Sequence, residues 1–497
     1  MNQDSSKMSL STIDQVKIKR KLIICLAFLG TVIASIFTLK SGNIVFMGGL
    51  LALPFALMLI NRPDLAFLIG VILDATNITM AGINLLTLGV LMQLMVIASS
   101  LLSWFLIGRN TKTPYYFEKR PLVYFTLLII FLMLVRGAGL RFFGSETWGG
   151  MIYIRLFIAI FFFFAIHNIT ISKKFYRILI VGTVLAGIVG TVNSLFGFVA
   201  DFSDATSAVG PISVGSMRLV WVIPFVYALF PVVITSNPKI SLFKFLVWIL
   251  LLGAISLTGF RSRLVLLLMV TFLFGYFINY KKIAYFIKCG FIAAALWIFL
   301  IFISPYVQGG MQRAISFLPG VKSDIMVTQD ADNSVSWRVE IWKYCWERVP
   351  EYFWIGRGSA FNVYDAVENL SKSDIREFSP WFAYTTRSYH SGPLTLLLDY
   401  GFIGLVVGSW LLITIGITNW KIAKNMAAYN SFESRYCLAL SCWLIWEVFS
   451  FFAIYGQMPK FGRIIVAAAV VKVLAQSVEK MSESVAIEEY KAQFLEL

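Results

Sequence analysis

One of only two histidines in the chain, His390, stands where the polar stretch Tyr384-Thr385-Thr386-Arg387-Ser388-Tyr389-His390-Ser391-Gly392 runs into an apolar segment at 393–418. An imidazole exchanges a proton near neutral pH without a large pKa shift. Four arginines stand at comparable junctions: Arg218 in SMRLVWVIPFVYALF, Arg261 and Arg263 in LTGFRSRLVLLLMV, and Arg338 in SVSWRVEIW. Guanidinium groups stay charged, and their planar fork matches phosphate oxygens. A titratable base beside fixed cations at a lipid boundary suits chemistry on a lipid-linked anion. The base would take a proton from a nucleophile while the cations hold a charged leaving group.

The elements that must position these residues are membrane helices. Hydrophobic residues make up 59% of the 497, the mean hydropathy is +0.79, and charged residues are only 14%, about half the soluble norm. Apolar runs of spanning length recur from 22–39 to 462–477. They number twelve to fourteen, depending on whether 65–82, 121–135 and 462–477 are counted. The run at 22–39 is long for a signal sequence and lacks a small-x-small cleavage site, so it reads as a first spanning helix. Cys25, Cys289, Cys345, Cys437 and Cys442 have no metal-ligand or disulfide spacing.

The net charge of +16 is a topology signal rather than a nucleic-acid one. With the N-terminus in the cytoplasm, the inner side receives the Lys17–Lys21 cluster, Arg62, Lys119, Arg120, Lys173, Lys174, Arg177, Lys281, Lys282, Lys421 and Lys424. The outer side receives far fewer, among them Arg136, Arg141, Arg218, Arg261, Arg263, Lys460 and Arg463. This follows the positive-inside bias. The expected organisation is a cytoplasmic segment at 1–21, spanning helices 1–11 within 22–304 and a large periplasmic loop at 305–390. Helices 12–14 follow within 391–477, and 478–497 is a cytoplasmic tail. The fold class is an all-α polytopic membrane protein.

Within the loop, SVSWRVEIWKYCWERVP (334–350) reads as an amphipathic helix ended by Pro350. Arg338, Trp342, Cys345 and Trp346 share one face, and the helix is expected along the outer membrane surface. The turn Gly356-Arg357-Gly358-Ser359 either closes the surface or offers backbone N–H groups to a phosphate oxygen. Arg155, Arg357, Arg387 and Ser391 are accessory candidates for the site. Arg136 and Arg141 are candidates for headgroup or glycan contact, and His167, beside lysines, reads as structural. Asp399, on a straight helix, would lie about 13 Å from His390 on the opposite face, so it is expected to pair with an arginine of another helix. Asp74 and Glu447 are intramembrane acids, functional by default or else bonded between helices.

Read in order, Arg218, the TGFRSR helix start, Arg338…Trp342 with the glycine turn, and His390-Ser391 followed by Gly401 and Gly404 resemble the O-antigen ligase and polymerase superfamily. The resemblance covers roughly 215–410. It implies a GT-C-like membrane glycosyltransferase acting on undecaprenyl-diphosphate-linked glycans. The implied reaction is inverting and needs no metal or cofactor. In it, His390 deprotonates an acceptor hydroxyl while Arg218, Arg261, Arg263 and Arg338 hold the donor diphosphate. Arg261 and Arg263 sit about 200° apart on a helix, so one of them faces the site. The implied partners are the lipid-linked donor and a glycan acceptor, either lipid A-core or a lipid-linked repeat unit, with other polysaccharide-assembly proteins. Ser391 stands where asparagine is commoner in the family. Transfer to protein hydroxyls is a further family outcome. A transporter or flippase of the same lipid is the rival from another class. It would place ionisable groups and broken helices near the midplane, whereas the arginines here cluster at the outer boundary.

Overall fold

A computed structural model describes residues 62–76, 79–80, 83–107, 119–139, 147–166, 169–187, 226–227, 261–279, 282–306, 312, 315–362 and 380–495. In chain order the helices are α1 (Pro63–Thr76), α2 (Leu88–Ile107), α3 (Arg120–Arg136), α4 (Met151–Ala165), α5 (173–187), α6 (Arg261–Ile278) and α7 (Lys282–Ile303). They continue as α8 (Ile325–Trp346), α9 (Val349–Tyr352), α10 (Pro380–Thr385), α11 (Gly392–Met426), α12 (Phe432–Ala453) and α13 (Met458–Leu495). Two short antiparallel ribbons interrupt them: β1 (Thr79–Met80) with β2 (Ile83–Thr87), and β3 (Thr147–Trp148) with β4 (Phe361–Asn362). The chain is an all-α polytopic membrane protein. The runs at 121–135 and 462–477 fall within α3 and α13, whereas the run at 65–82 outlasts α1, which ends at Thr76 before the strand Thr79–Met80; Arg218, His167, Arg141 and the first apolar runs lie outside the described residues.

Among the described residues four helices are long and apolar enough to cross a membrane: Lys282–Tyr306, Gly392–Met426, Phe432–Ala453 and Met458–Ser484. Their environments differ. α12 and α13 are 72% and 83% buried over their apolar windows, whereas α7 is not buried at all. Ile283, Phe291 and Phe302 on α7 are each more than 70% exposed. Lipid tails are as apolar as these side chains, so such a surface is stable in a bilayer. The core is the bundle of α11, α12 and α13, with α3 against α11, α4 against α13 and α6 against α12.

Four expectations change. The amphipathic helix begins at Ile325, where the Asp324 carboxylate caps it by accepting from the Met326 N–H at 2.9 Å, and it ends at Trp346. Pro350 opens α9 instead of ending α8, as its missing N–H allows in a first turn. The buried face of α8 is centred on Ile341 and Cys345, both at 0% exposure, while Trp346 is 58% exposed. Packing on α10 and α11, not lipid alone, sets that face. Finally, α13 continues to Leu495, so the segment read as a tail extends the last helix.

α11 is broken. Gly401 has φ 74° and ψ −175°, which divides the helix at the site's own level. A break in lipid must have its freed backbone groups answered by protein, and the loop does this. Arg357 N–H donates to Leu398 O at 2.8 Å, Gly358 N–H to Asp399 O at 3.0 Å, and Phe402 N–H to Phe353 O at 2.6 Å. The two chains approach so closely that a Cβ on Gly356 would overlap the backbone of Asp399 and Gly401, and one on Gly401 would overlap Trp354. Both positions have positive φ, so glycine is required on both counts.

Candidate active site

His390 lies two residues before α11, in a turn that the loop holds from outside. Its φ is +55°, and Arg387 nearby has +62°, conformations that cost a non-glycine residue energy and persist only where the surroundings impose them. The surroundings are visible. Trp342 Nε1 donates to Tyr389 O at 2.8 Å, and Ser388 N–H donates to Ala383 O at 2.8 Å. Tyr389 is fully buried among Ile341, Cys345, Leu394, Leu397 and Leu398.

The imidazole itself sits between two rings. Trp337 of α8 is edge-on at 5.1 Å between centroids, and Tyr455, in the turn between α12 and α13, lies at 5.0 Å. The Nδ1 atom is buried with no hydrogen-bond partner among the described residues. Burial first, and the positive charge of Arg338 second, lower the His390 pKa to about 4. The ring is therefore neutral at physiological pH, with a lone pair ready to accept a proton. Arg338 and His390, far apart in sequence, are thus electrostatic neighbours.

A second cluster lies about two turns into α11. Asp399, 1% exposed, accepts from Arg387 Nη1 at 2.8 Å, Tyr389 Oη at 2.9 Å and Arg357 Nε at 3.4 Å. Arg387 also bonds Gly358 O and, at 3.1 Å, Ala360 O, while Arg357 Nη2 reaches Tyr384 O at 2.5 Å and stacks on that ring at 3.9 Å. Asp399 does pair with arginine, but both partners come from the loop, not from another helix. The helix is neither straight nor extended as far as His390, so Asp399 reaches the residue before the imidazole through Tyr389.

This geometry reassigns several sequence candidates. Arg357 and Arg387 are committed to a buried carboxylate and to loop carbonyls. The glycine turn offers no N–H at 356–359, since Gly356 donates to Tyr352 O, Arg357 and Gly358 to α11, and Ser359 to Tyr153 Oη at 2.6 Å. Arg136 donates Nε to Gly356 O at 2.9 Å, so it braces the same turn. Ser391 takes the N-cap position of α11 without a side-chain cap bond, and Arg155 is exposed on α4. Arg261 and Arg263 open α6. Glu447 is ion-paired with Lys460 at 3.0 Å. Burial pushes the Cys345 thiol up to about 12, so it is inert.

Trp337 and Tyr455 were not among the sequence candidates. Trp337 adjoins Arg338, and its place on the α8 face was within reach of a helical wheel. Tyr455 carries no local signal linking it to His390.

A broken spanning helix, an extramembrane loop locked into the break and a neutral histidine beside an arginine describe a polytopic membrane protein with a loop-capped site. Residues 245–408, about a third of the chain, match the family model described as O-antigen ligase, which supports the resemblance to that superfamily. The match takes in Arg261, Arg263, Arg338, His390, Gly401 and Gly404, and leaves Arg155, Arg218 and Tyr455 outside. No curated protein matches the chain.

Proposed function

We propose that the chain transfers a glycan from an undecaprenyl-diphosphate carrier to an acceptor sugar hydroxyl on the outer face of the cytoplasmic membrane, with inversion at the anomeric carbon. The observation that carries this reading is the neutral His390 imidazole beside Arg338, at the junction of the 305–390 loop and α11.

In the reaction, His390 accepts the proton of the acceptor hydroxyl as its oxygen bonds to the anomeric carbon. The bond from that carbon to the diphosphate oxygen breaks, and undecaprenyl diphosphate leaves with the electron pair. The proton passes from the imidazolium to solvent or to the departing diphosphate. Arg338, with Arg218 and Arg261 or Arg263, neutralises the charge that develops on the leaving group, which is usually the largest catalytic contribution. A bound diphosphate beside the imidazole also favours its protonated form. The base is therefore strengthened once donor is present. Arg357, Arg387 and Ser391 act from behind, through the shape of the turn.

A ligase and a polymerase share these steps and differ only in acceptor, a lipid A-core sugar or the next lipid-linked repeat unit. The test is to incubate the purified full-length protein with a defined lipid-linked donor and each acceptor in turn. The expected products are an inverted glycosidic linkage and free undecaprenyl diphosphate. Movement of intact donor across a vesicle bilayer, with no diphosphate released under any acceptor, would mean a carrier instead.

A further inference from the structure

His390 has a packing arrangement that the reaction alone does not require. Oriented imidazoles are commonly fixed by a hydrogen bond at the second ring nitrogen, yet Nδ1 here has no such partner among the described residues. The only carboxylate near it in sequence, Asp399, is engaged by Arg387, Arg357 and Tyr389. What touches the ring is aromatic: Trp337 on one side, with planes 65° apart, and Tyr455 on the other, with planes 54° apart.

Tyr455 reaches this place through a specific close contact. Gly456, the next residue, packs so tightly on Gly392 that a Cβ on Gly456 would overlap the Gly392 backbone, while one on Gly392 would overlap Phe451. Thr395 Oγ1 ties the same turn down by donating to Gly456 O at 3.0 Å, and Tyr455 N–H donates to Ser450 O at 2.8 Å. The turn between the last two spanning helices is thus fastened to the start of α11, with its tyrosine against the imidazole. This turn lies beyond the stretch matched by the family model.

We propose that Trp337 and Tyr455 are positioning residues that clamp the His390 ring, fixing its plane by packing and holding it unprotonated by excluding water. The inference rests on His390 being the base. Two aromatic walls shield the imidazole from solvent by ring contact and not by hydrogen bonding, so a ring lone pair is left for substrate. The charged and titratable groups around the clamp fit this role. Arg338 comes from α8, and Arg463 of α13 acts beyond Tyr455. Burial raises the Tyr455 phenol, and the two arginines partly offset this, so it is neutral and donates no charge to the ring. Arg338 opposes protonation of His390, in the same direction as burial.

The test uses the full-length protein in detergent with His167→Gln, so that His390 is the single imidazole, and follows its ring carbons by NMR across pH. The expected midpoint is near 4. It should move above about 5, toward the ordinary histidine value, in Trp337→Ala and in Tyr455→Ala. Tyr455→Phe and Trp337→Phe, which restore a ring, should bring it back. In the same variants the alanine changes should lower kcat at least about tenfold while the donor KM stays within about twofold. A midpoint that stays near 4 in both alanine variants overturns the clamp. Turnover by His390→Ala, measured alongside, overturns the functional reading separately, because the NMR midpoint does not depend on activity.

Discussion

The two polar groups that flank the start of α11 are treated in opposite ways. Asp399 is answered by three donors from the loop and is almost fully enclosed. His390 is enclosed as well, but by rings, and its buried nitrogen is left unbonded among the described residues. One carboxylate against two guanidinium groups makes a scaffold, because breaking any member leaves a buried charge uncompensated. An imidazole whose buried nitrogen has no hydrogen bond among the described residues makes no scaffold, and its chemistry stays available. The difference separates the part of the site that must not move from the part that must react.

Removing the carboxylate is the largest expected disruption. Asp399→Ala should cost about 3–5 kcal/mol of stability, since Arg357 and Arg387 then lack their anion. The check is thermal unfolding in detergent, and an unchanged Tm would show that this carboxylate cluster holds nothing. Gly401→Ala attacks the same scaffold through the backbone. A positive φ and an overlap with Trp354 should make it destabilising by at least about 1–3 kcal/mol, with loss of the loop's docking seen as faster protease cleavage near 356–359.

The other side of the comparison is tested without unfolding. Arg338→Ala removes a cation that disfavours imidazolium, so the acid limb of kcat/KM should move upward from about 4. Donor use should fall by at least tenfold, on the order of one lost charge-assisted contact to phosphate. The sign for stability follows from the same shift. Because the folded pKa lies below the ordinary 6.5, the unfolded chain binds more protons between those values, and the native state weakens as pH falls from about 6.5 to about 4. That acid sensitivity should diminish in His390→Ala. The smallest effect belongs to Trp346→Ala. At 58% exposure, away from both clusters, it should change stability by no more than about 0.5 kcal/mol.

Particular residues show how far the sequence could be read. The spacing of His390, Gly401 and Gly404 was visible as a motif, and the apolar runs located α11, α12 and α13, because both signals are local. The face of α8 was read too far toward Trp346, since aromatic residues mark membrane surfaces and protein cores alike. Its apolar first turn, Ile325-Met326-Val327, is cut off from the rest of that face by the polar stretch TQDADNS, which hides the periodicity. The role of Gly356 was out of reach because its reason is Gly401, a contact made only after the loop folds back. Arg357 and Arg387 read as accessory site candidates for the same reason. An arginine at a loop position has no sequence mark that distinguishes a phosphate partner from a buried aspartate. Tyr455 depends on Gly456 of a turn meeting Gly392 at the start of α11.

The most direct test of the account is the single substitution His390→Ala, assayed with a defined undecaprenyl-diphosphate donor and its acceptor, with donor affinity measured separately. Loss of the general base predicts a fall in kcat of about 10²–10⁴-fold with donor affinity nearly unchanged. Turnover at the wild-type rate would contradict it.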